Sequence, residues 1–181
     1  MISFFRFRGV TLWILAVSLA FGLKGGDALA QTAKKPTPVA KGTVAERAKD
    51  GQVFGDWVAK CGQGGCVLSQ SQVVEGGARL IQFTIGRIGT QGEQGAIAII
   101  PLGIHIPAGA LLAIDGKATP MTLKTCMQQG CQATMTLDAA QLGEIGKAQA
   151  IEVIVMDDAN RENILIPLSI KGLGQGLAAI R

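Results

Sequence analysis

The chain has 181 residues, with 17 basic and 13 acidic side chains, two tryptophans and no tyrosine. That is about the length of one domain once a leader is set aside, and its core must rest on aliphatic side chains. The formal net charge of +4 excludes little by itself, but its distribution argues against a nucleic-acid face, because the surplus lies outside the segment expected to fold.

The N-terminus has a leader's organisation. Arg6 and Arg8 supply a basic start, an apolar stretch runs from Val10 to Leu23, and Ala28-Leu29-Ala30 puts small residues at the −3 and −1 positions before Gln31. These are the parts of a secretory signal, so residues 1–30 are expected to be removed by a cut between Ala30 and Gln31. The apolar stretch is shorter than the roughly 20 residues of a spanning helix. Later apolar runs are broken by Pro101, Gly103 and Pro107. The expectation is a periplasmic, outer-membrane-associated or secreted chain, with no membrane span after cleavage.

Residues 31–52 read as a flexible basic linker, with Lys34-Lys35-Pro36-Thr37-Pro38 and few large apolar side chains, too little to offset the entropy of ordering. Segment 31–49 holds Lys34, Lys35, Lys41, Arg47 and Lys49 against Glu46 alone, whereas residues 50–181 hold 9 basic and 11 acidic side chains. A slightly acidic domain therefore follows at 53–181. The lysines of the linker suit attraction to anionic envelope surfaces.

From Val53 the pattern is β. Val53 to Cys61 and Val67 to Val74 are strand-prone. Ala78 to Ile88 alternates cleanly, with Leu80, Gln82 and Thr84 on one face and Ile81, Phe83 and Ile85 on the other. Ala96 to Ile100 is a continuous apolar run suited to a strand covered on both faces. Pro101 to Gly109, with its two prolines, reads as an irregular crossing or edge segment. Ala110 to Ile114 is a strand ended by Asp115-Gly116, a hairpin turn pair. Met121 to Cys126, Gln132 to Leu137, Ile151 to Met156 and Ile164 to Ile170 complete the strands, and Asp157 to Glu162 is a turn cluster. Asp138 is placed to cap a helix over Ala139 to Lys147, with Leu142 and Ile145 inward. Leu173, Leu177 and Ile180 suit a short second helix, which Gly174 and Gly176 disfavour. The fold class is mainly β: an antiparallel sandwich or barrel-like domain with one or two short helices.

Four cysteines fall in two matching loops of the form C-x-Q-x-G-C, Cys61 to Cys66 and Cys126 to Cys131. In an exported chain an even count points to disulfides. Closure within each loop is favoured, because glycine lets the chain turn tightly enough, and cross-pairing stays open. A zinc site is less suited to this spacing and an oxidising compartment. A redox pair would call for C-x-x-C in a βαβ setting.

Candidates for other chemistry are sparse. His105 is the lone histidine, and a catalytic triad would have to combine it with Ser69, Ser71 or Ser169, none of them in a G-x-S-x-G turn. Asp157, Asp158, Asn160 and Glu162 offer oxygen ligands without the spacing or glycine of a calcium loop, and read as a solvated turn. Gly86 and Gly89 read as a strand end. No catalytic residue, metal site or cofactor is assigned. Trp57 and His105 are kept as possible ligand contacts, with Trp57 read first as a core anchor.

An ordered set of short motifs remains: Gly55-Asp56-Trp57 before a cysteine pair; Pro101-Leu102-Gly103; Pro107-Ala108-Gly109; Ile114-Asp115-Gly116-Lys117; Cys126 to Cys131 with Gln132-Ala133; Leu137-Asp138; and Pro167-Leu168-Ser169-Ile170-Lys171-Gly172-Leu173. Over about Val53 to Ile180 the chain resembles the invasion-associated locus B family of alphaproteobacterial exported proteins. It departs from the family at Leu173 and near Met121-Thr122, where aromatic residues are common. The resemblance implies an extracytoplasmic β-rich domain, some of whose relatives are linked to host-cell invasion, and it carries over no catalytic or binding residue. The expected function is a non-enzymatic interaction protein that meets a cell-envelope component or a host-cell surface. The alternative is a binding module for a small molecule, glycan or envelope component, with a hydrolase or redox enzyme ranked third.

Overall fold

A computed structural model describes residues 46–89 and 92–181. The expected leader, its cut at Ala30 and most of the basic linker lie outside them. Ten strands and two helices follow in chain order: β1 Val53–Phe54, β2 Trp57–Gly62, β3 Gly65–Val73, β4 Arg79–Ile88, β5 Glu93–Ile100, β6 Ala110–Ile114, β7 Lys117–Met127, β8 Gly130–Thr136, α1 Ala139–Ile145, β9 Ile151–Met156, β10 Asn163–Leu168 and α2 Leu173–Ala179. All pairings are antiparallel, in the order β1-β2-β3-β4-β5-β8-β7-β6-β9-β10. The mainly-β expectation is realised as one ten-stranded sheet with two short helices, not closed into a barrel.

The long β7 joins two halves of this sheet. Its first five residues, Lys117 to Met121, pair with β6, and Thr122 to Met127 pair with β8. Pro120 sits where the strand leaves one neighbour for the other, and a register shift follows between Leu123 and Thr125. The Pro101–Gly109 segment crosses between the halves as expected. It holds a single 3-10 turn, Ile106–Ala108, and one bridge from Ile104 to Asp157. The β6–β7 hairpin turns on Asp115 (φ 47°) and Gly116 (φ 83°), the two positive φ values that a type I′ turn requires.

The core is aliphatic, as composition demands. Leu68, Ile81, Ile85, Leu112 and Val153 are fully buried, each contributing about 1.5–3 kcal/mol by leaving water. On β4 the buried set is Ile81, Phe83 and Ile85, the face read from the alternation. Three details differ from the sequence reading. The first strand is two, because Gly55 (φ 57°) and Asp56 make a turn between β1 and β2. The packed domain begins before Val53: Ala48 is buried and its N–H donates to Ala179 O at 2.9 Å. And the glycines that disfavour α2 are the reason it packs: a Cβ on Gly176 would lie 2.6 Å from Leu68 Cδ1, and one on Gly174 2.6 Å from Gly146 O. Helix propensity is given up there for close approach. α1 has the predicted cap, with Asp138 Oδ1 accepting from Gln141 N–H at 2.7 Å and Gln141 Oε1 accepting from Asp138 N–H at 2.9 Å.

Candidate functional site

Both cysteine loops are hairpin staples. Cys61 faces Cys66 across β2 and β3, and Cys126 faces Cys131 across β7 and β8. The Cα atoms are 4.0 and 3.9 Å apart and both pairs are disulfide-bonded, so the local connectivity holds and no cysteine is free. Directly opposed cysteines across a two-residue turn explain why the loops share one spacing.

Trp57 is a core anchor. Its ring is 1% exposed and meets Phe83 edge-on, with centroids 6.3 Å apart. Its indole N–H donates to Ser169 O at 2.8 Å. The ligand-contact expectation at this residue is corrected, because both the ring and its polar handle are already partnered within the core.

Ser169 is not aligned with the histidine either. Its hydroxyl donates to Asp56 Oδ2 at 2.6 Å and accepts from Lys171 N–H at 3.1 Å, while its own N–H donates to Gln70 Oε1 at 3.0 Å. Ser69 is buried and its Oγ lies 3.3 Å from Thr84 Oγ1. His105 Nδ1 instead faces Asp158 Oδ1 at 2.9 Å and the Arg161 guanidinium, which also meets Asp158 at 3.2 Å. Its ring is partly covered rather than free in solvent, with 26% of the side chain exposed. An acid is thus beside the histidine, and no serine is among its described hydrogen-bond partners. In the neighbouring turn, Asp157 Oδ1 accepts from Ala159 and Asn160 N–H groups and Asn160 Oδ1 accepts from Glu162 N–H. The oxygens that suggested a cation loop stabilise the turn itself.

Sequence reasoning missed the role of Gln70 and Gln72. They continue the inward row begun by Leu68. Gln72 Nε2 donates to Pro167 O at 2.6 Å, as Gln70 Oε1 receives Ser169 N–H. Because backbone groups of residues two apart point the same way in a strand, these bonds show that 163, 165, 167 and 169 turn their backbone groups away from β9. The far end of β10's outer edge is therefore capped by β3 side chains, and Pro167 has no N–H to leave unpaired. Two glutamines in a row that should be apolar were the available signal.

Among the described residues nothing caps the near end of that edge, Asn163 to Leu165. β10 is the last strand of the sheet. The register aligns Leu165 with Ile154, Ile154 with Leu111 and Leu111 with Pro120. Each of these four side chains is followed or preceded along its own strand by a buried one, Ile166, Val153, Leu112 and Met121, so they form an apolar row on the face away from the core. Leu165 is 53% exposed, Pro120 is exposed, and Ile154 and Leu111 are half-buried. An apolar row ending at open backbone donors and acceptors is the best-formed candidate interface among the described residues.

Fold and surface together define a disulfide-stapled antiparallel β domain with one open, apolar sheet edge. The sequence of residues 52–181 matches the family described as Invasion associated locus B (IalB) protein, and the chain belongs to that family. It is similar to two Invasion protein B homologs of Brucella abortus, from strain 2308 and from biovar 1 strain 9-941. Each is 27% identical over 136 residues, covering 72% of this chain and 78% of the relative. Its fold is similar to the crystal structure of invasion associated protein b from Bartonella henselae, with a TM-score of 0.61 and 15% identity, covering 70% of this chain and 92% of that one. Among the described residues no helix is long and apolar enough to cross a membrane.

Proposed function

We propose that this chain is a non-enzymatic extracytoplasmic interaction protein, exported by a cleaved leader, which engages an extended segment of a protein partner at the cell envelope or host-cell surface. The observation that carries the reading is the Leu165–Ile154–Leu111–Pro120 row running to the uncapped edge of β10. An edge with free backbone groups selects a strand, and the apolar row meets it at Leu165 with a surface suited to an apolar side chain. Membership of the invasion associated locus B family and the naming of the Brucella relatives as invasion protein homologs support a place at the host interface. The two disulfides suit an oxidising compartment. The pairing of Ser169 with Asp56, away from His105, supports the non-enzymatic reading.

The test is photo-crosslinking from position 163, exposed on the same edge, in the exported protein on live cells, with the attached peptide sequenced. The expected result is a β-prone segment of one envelope or surface protein, lost in Leu165→Lys, a change that blocks strand addition at an edge while leaving stability within about 0.5 kcal/mol. Equal cross-linking after that substitution would refute strand docking. The second reading, a binding module for an envelope component, draws support from a different place, the arginine-lined pocket described next.

A further inference from the structure

Three arginines that are distant in sequence meet at one concavity. Arg47 comes from the segment leading into β1, Arg87 from β4 and Arg181 from the residue after Ile180 at the end of α2, and they line a pocket of about 220 Å³. Its remaining walls are backbone and small or apolar side chains, with Ala48 and Cys66 on one side and Ile180 on the other. No Asp or Glu side chain lines it. This is a local exception in a domain where acids outnumber bases.

The fold holds the pocket in shape. Ala48 is tied to the end of α2 through Ala179 O at 2.9 Å, and Ala48 O lies 3.6 Å from both sulfurs of the Cys61–Cys66 staple. Gly65, at φ 110°, lies beside the Arg87 stem, which a Cβ there would meet at an ordinary contact of 3.6 Å. The acids that flank Arg47 in sequence, Glu46 and Asp50, are engaged elsewhere. Glu46 pairs with Lys49 at 2.9 Å, and that hydrogen bond and charge hold the Glu46 carboxyl below its ordinary range and the Lys49 ammonium above its own. Asp50 Oδ1 accepts from Cys61 N–H at 2.8 Å. Among the described residues, Arg47, Arg87 and Arg181 form no ion pair. Offsetting the partial negative charge at the end of α2 would account for one cation near its last turn. It does not account for three, one of them delivered by a strand.

We infer that this pocket binds a phosphoryl group. Planar guanidinium forks match phosphate oxygens in pairs. The volume equals that of roughly seven waters at about 30 Å³ each, enough for one phosphate ester group and its first substituent. A lipid headgroup and a soluble phosphate ester present the same phosphoryl chemistry to the three guanidinium groups. The inference does not rest on strand docking at β10, and an edge variant such as Leu165→Lys leaves it untouched.

The experiment uses the exported protein, its N-terminus fixed by intact mass, with two probes: inorganic phosphate, and vesicles of phosphatidylcholine with phosphatidylglycerol. Binding is read by arginine Nε–H resonances for phosphate and by flotation for vesicles. Arg87→Gln is expected to weaken binding by about tenfold or more, the loss of one charge-assisted contact, and Lys117→Gln, on the β6–β7 hairpin, by less than about twofold. Loss of both probes in Arg87→Gln identifies the pocket with lipid headgroups within its range, and loss of phosphate alone identifies a soluble phosphate ester as the ligand. Equal losses in the Arg87 and Lys117 variants would show diffuse attraction and overturn the pocket, as would wild type binding neither probe. If Arg87→Gln fails to fold by thermal melting, Arg181→Gln takes its place with the same expected loss.

Discussion

Gln70→Leu removes the buried amide that holds the chain after β10 to β3. The side chain is 5% exposed, its Oε1 accepts from Ser169 N–H at 3.0 Å, and its Nε2 lies 3.5 Å from Asp56 O. Asp56 is exposed and can turn to water, so the longer contact counts for little. The half-buried Ser169 N–H loses its partner, at about 1–3 kcal/mol. Leucine recovers up to about 1 kcal/mol by its more apolar surface, which leaves a net destabilisation of about 1–2 kcal/mol. For a domain of this size that lowers Tm by roughly 3–8 °C. Trp57 is the only tryptophan after residue 30, so in a protein lacking residues 1–30 its fluorescence follows the transition next to the perturbed group. Amide exchange at Ser169 should speed up, while exposed Ser71→Ala on the same strand should change stability by under about 0.5 kcal/mol. A Gln70→Leu protein as stable as wild type, with Ser169 exchange unchanged, would show that α2 and the Gly55–Gly172 contact hold the C-terminal segment without the glutamine.

Replacing Cys126 and Cys131 together by alanine should cost about 2 kcal/mol in reversible urea unfolding, the loop-entropy value for so short a closure; a loss under about 0.5 kcal/mol would mean that the hairpin registers itself without the staple. Gly176→Ala should destabilise by about 1–3 kcal/mol by driving a methyl into buried Leu68. Gly143→Ala, with nothing within 4 Å, should instead stabilise α1 by about 0.5–1 kcal/mol, so equal signs in thermal melts of the two would contradict the packing. Intact mass of the exported chain should begin at Gln31, and retention of Met1 would overturn the leader assignment.

Most of the sheet was legible because one-sided burial imposes a period of two. Ile81, Phe83 and Ile85 announce their face without reference to any other segment. Hairpin features were legible for a similar reason: Asp115-Gly116 and the cysteine loops are solved locally. What escaped is non-local. The break at Gly55-Asp56 is dictated by Lys171 O and Phe54 O, over which a Cβ on Gly55 or Gly172 would lie. α2 forms despite its glycines because Leu68 and Gly146 are waiting beneath them. Gln70 gives no sign in the sequence of the Ser169 N–H, just beyond β10, that it satisfies. The arginine pocket has no sequence signature, since its charged groups are 40 and 94 residues apart along the chain.

The motifs that carry the family likeness have a physical meaning that bears on function. Gly55-Asp56-Trp57 and Ser169-Ile170-Lys171-Gly172 stand at opposite ends of the domain and clasp each other. Asp56 N–H donates to Lys171 O at 3.1 Å, Ser169 Oγ–H to Asp56 Oδ2 at 2.6 Å, and Trp57 Nε1–H to Ser169 O at 2.8 Å. Both glycines adopt positive φ, 57° and 82°, so that the two backbones can touch. The motifs therefore specify how the sheet's two ends are held together, and their polar groups are consumed in doing so. Neither the apolar row at β10 nor the arginine pocket draws a residue from this clasp. Membership of the family accordingly fixes the architecture, while the two proposed contacts draw on Leu165, Ile154 and Leu111 on one surface and on Arg47, Arg87 and Arg181 on the other. A relative could keep the clasp intact and change what it binds by altering only those side chains, which makes them the place where function and fold can be separated by substitution.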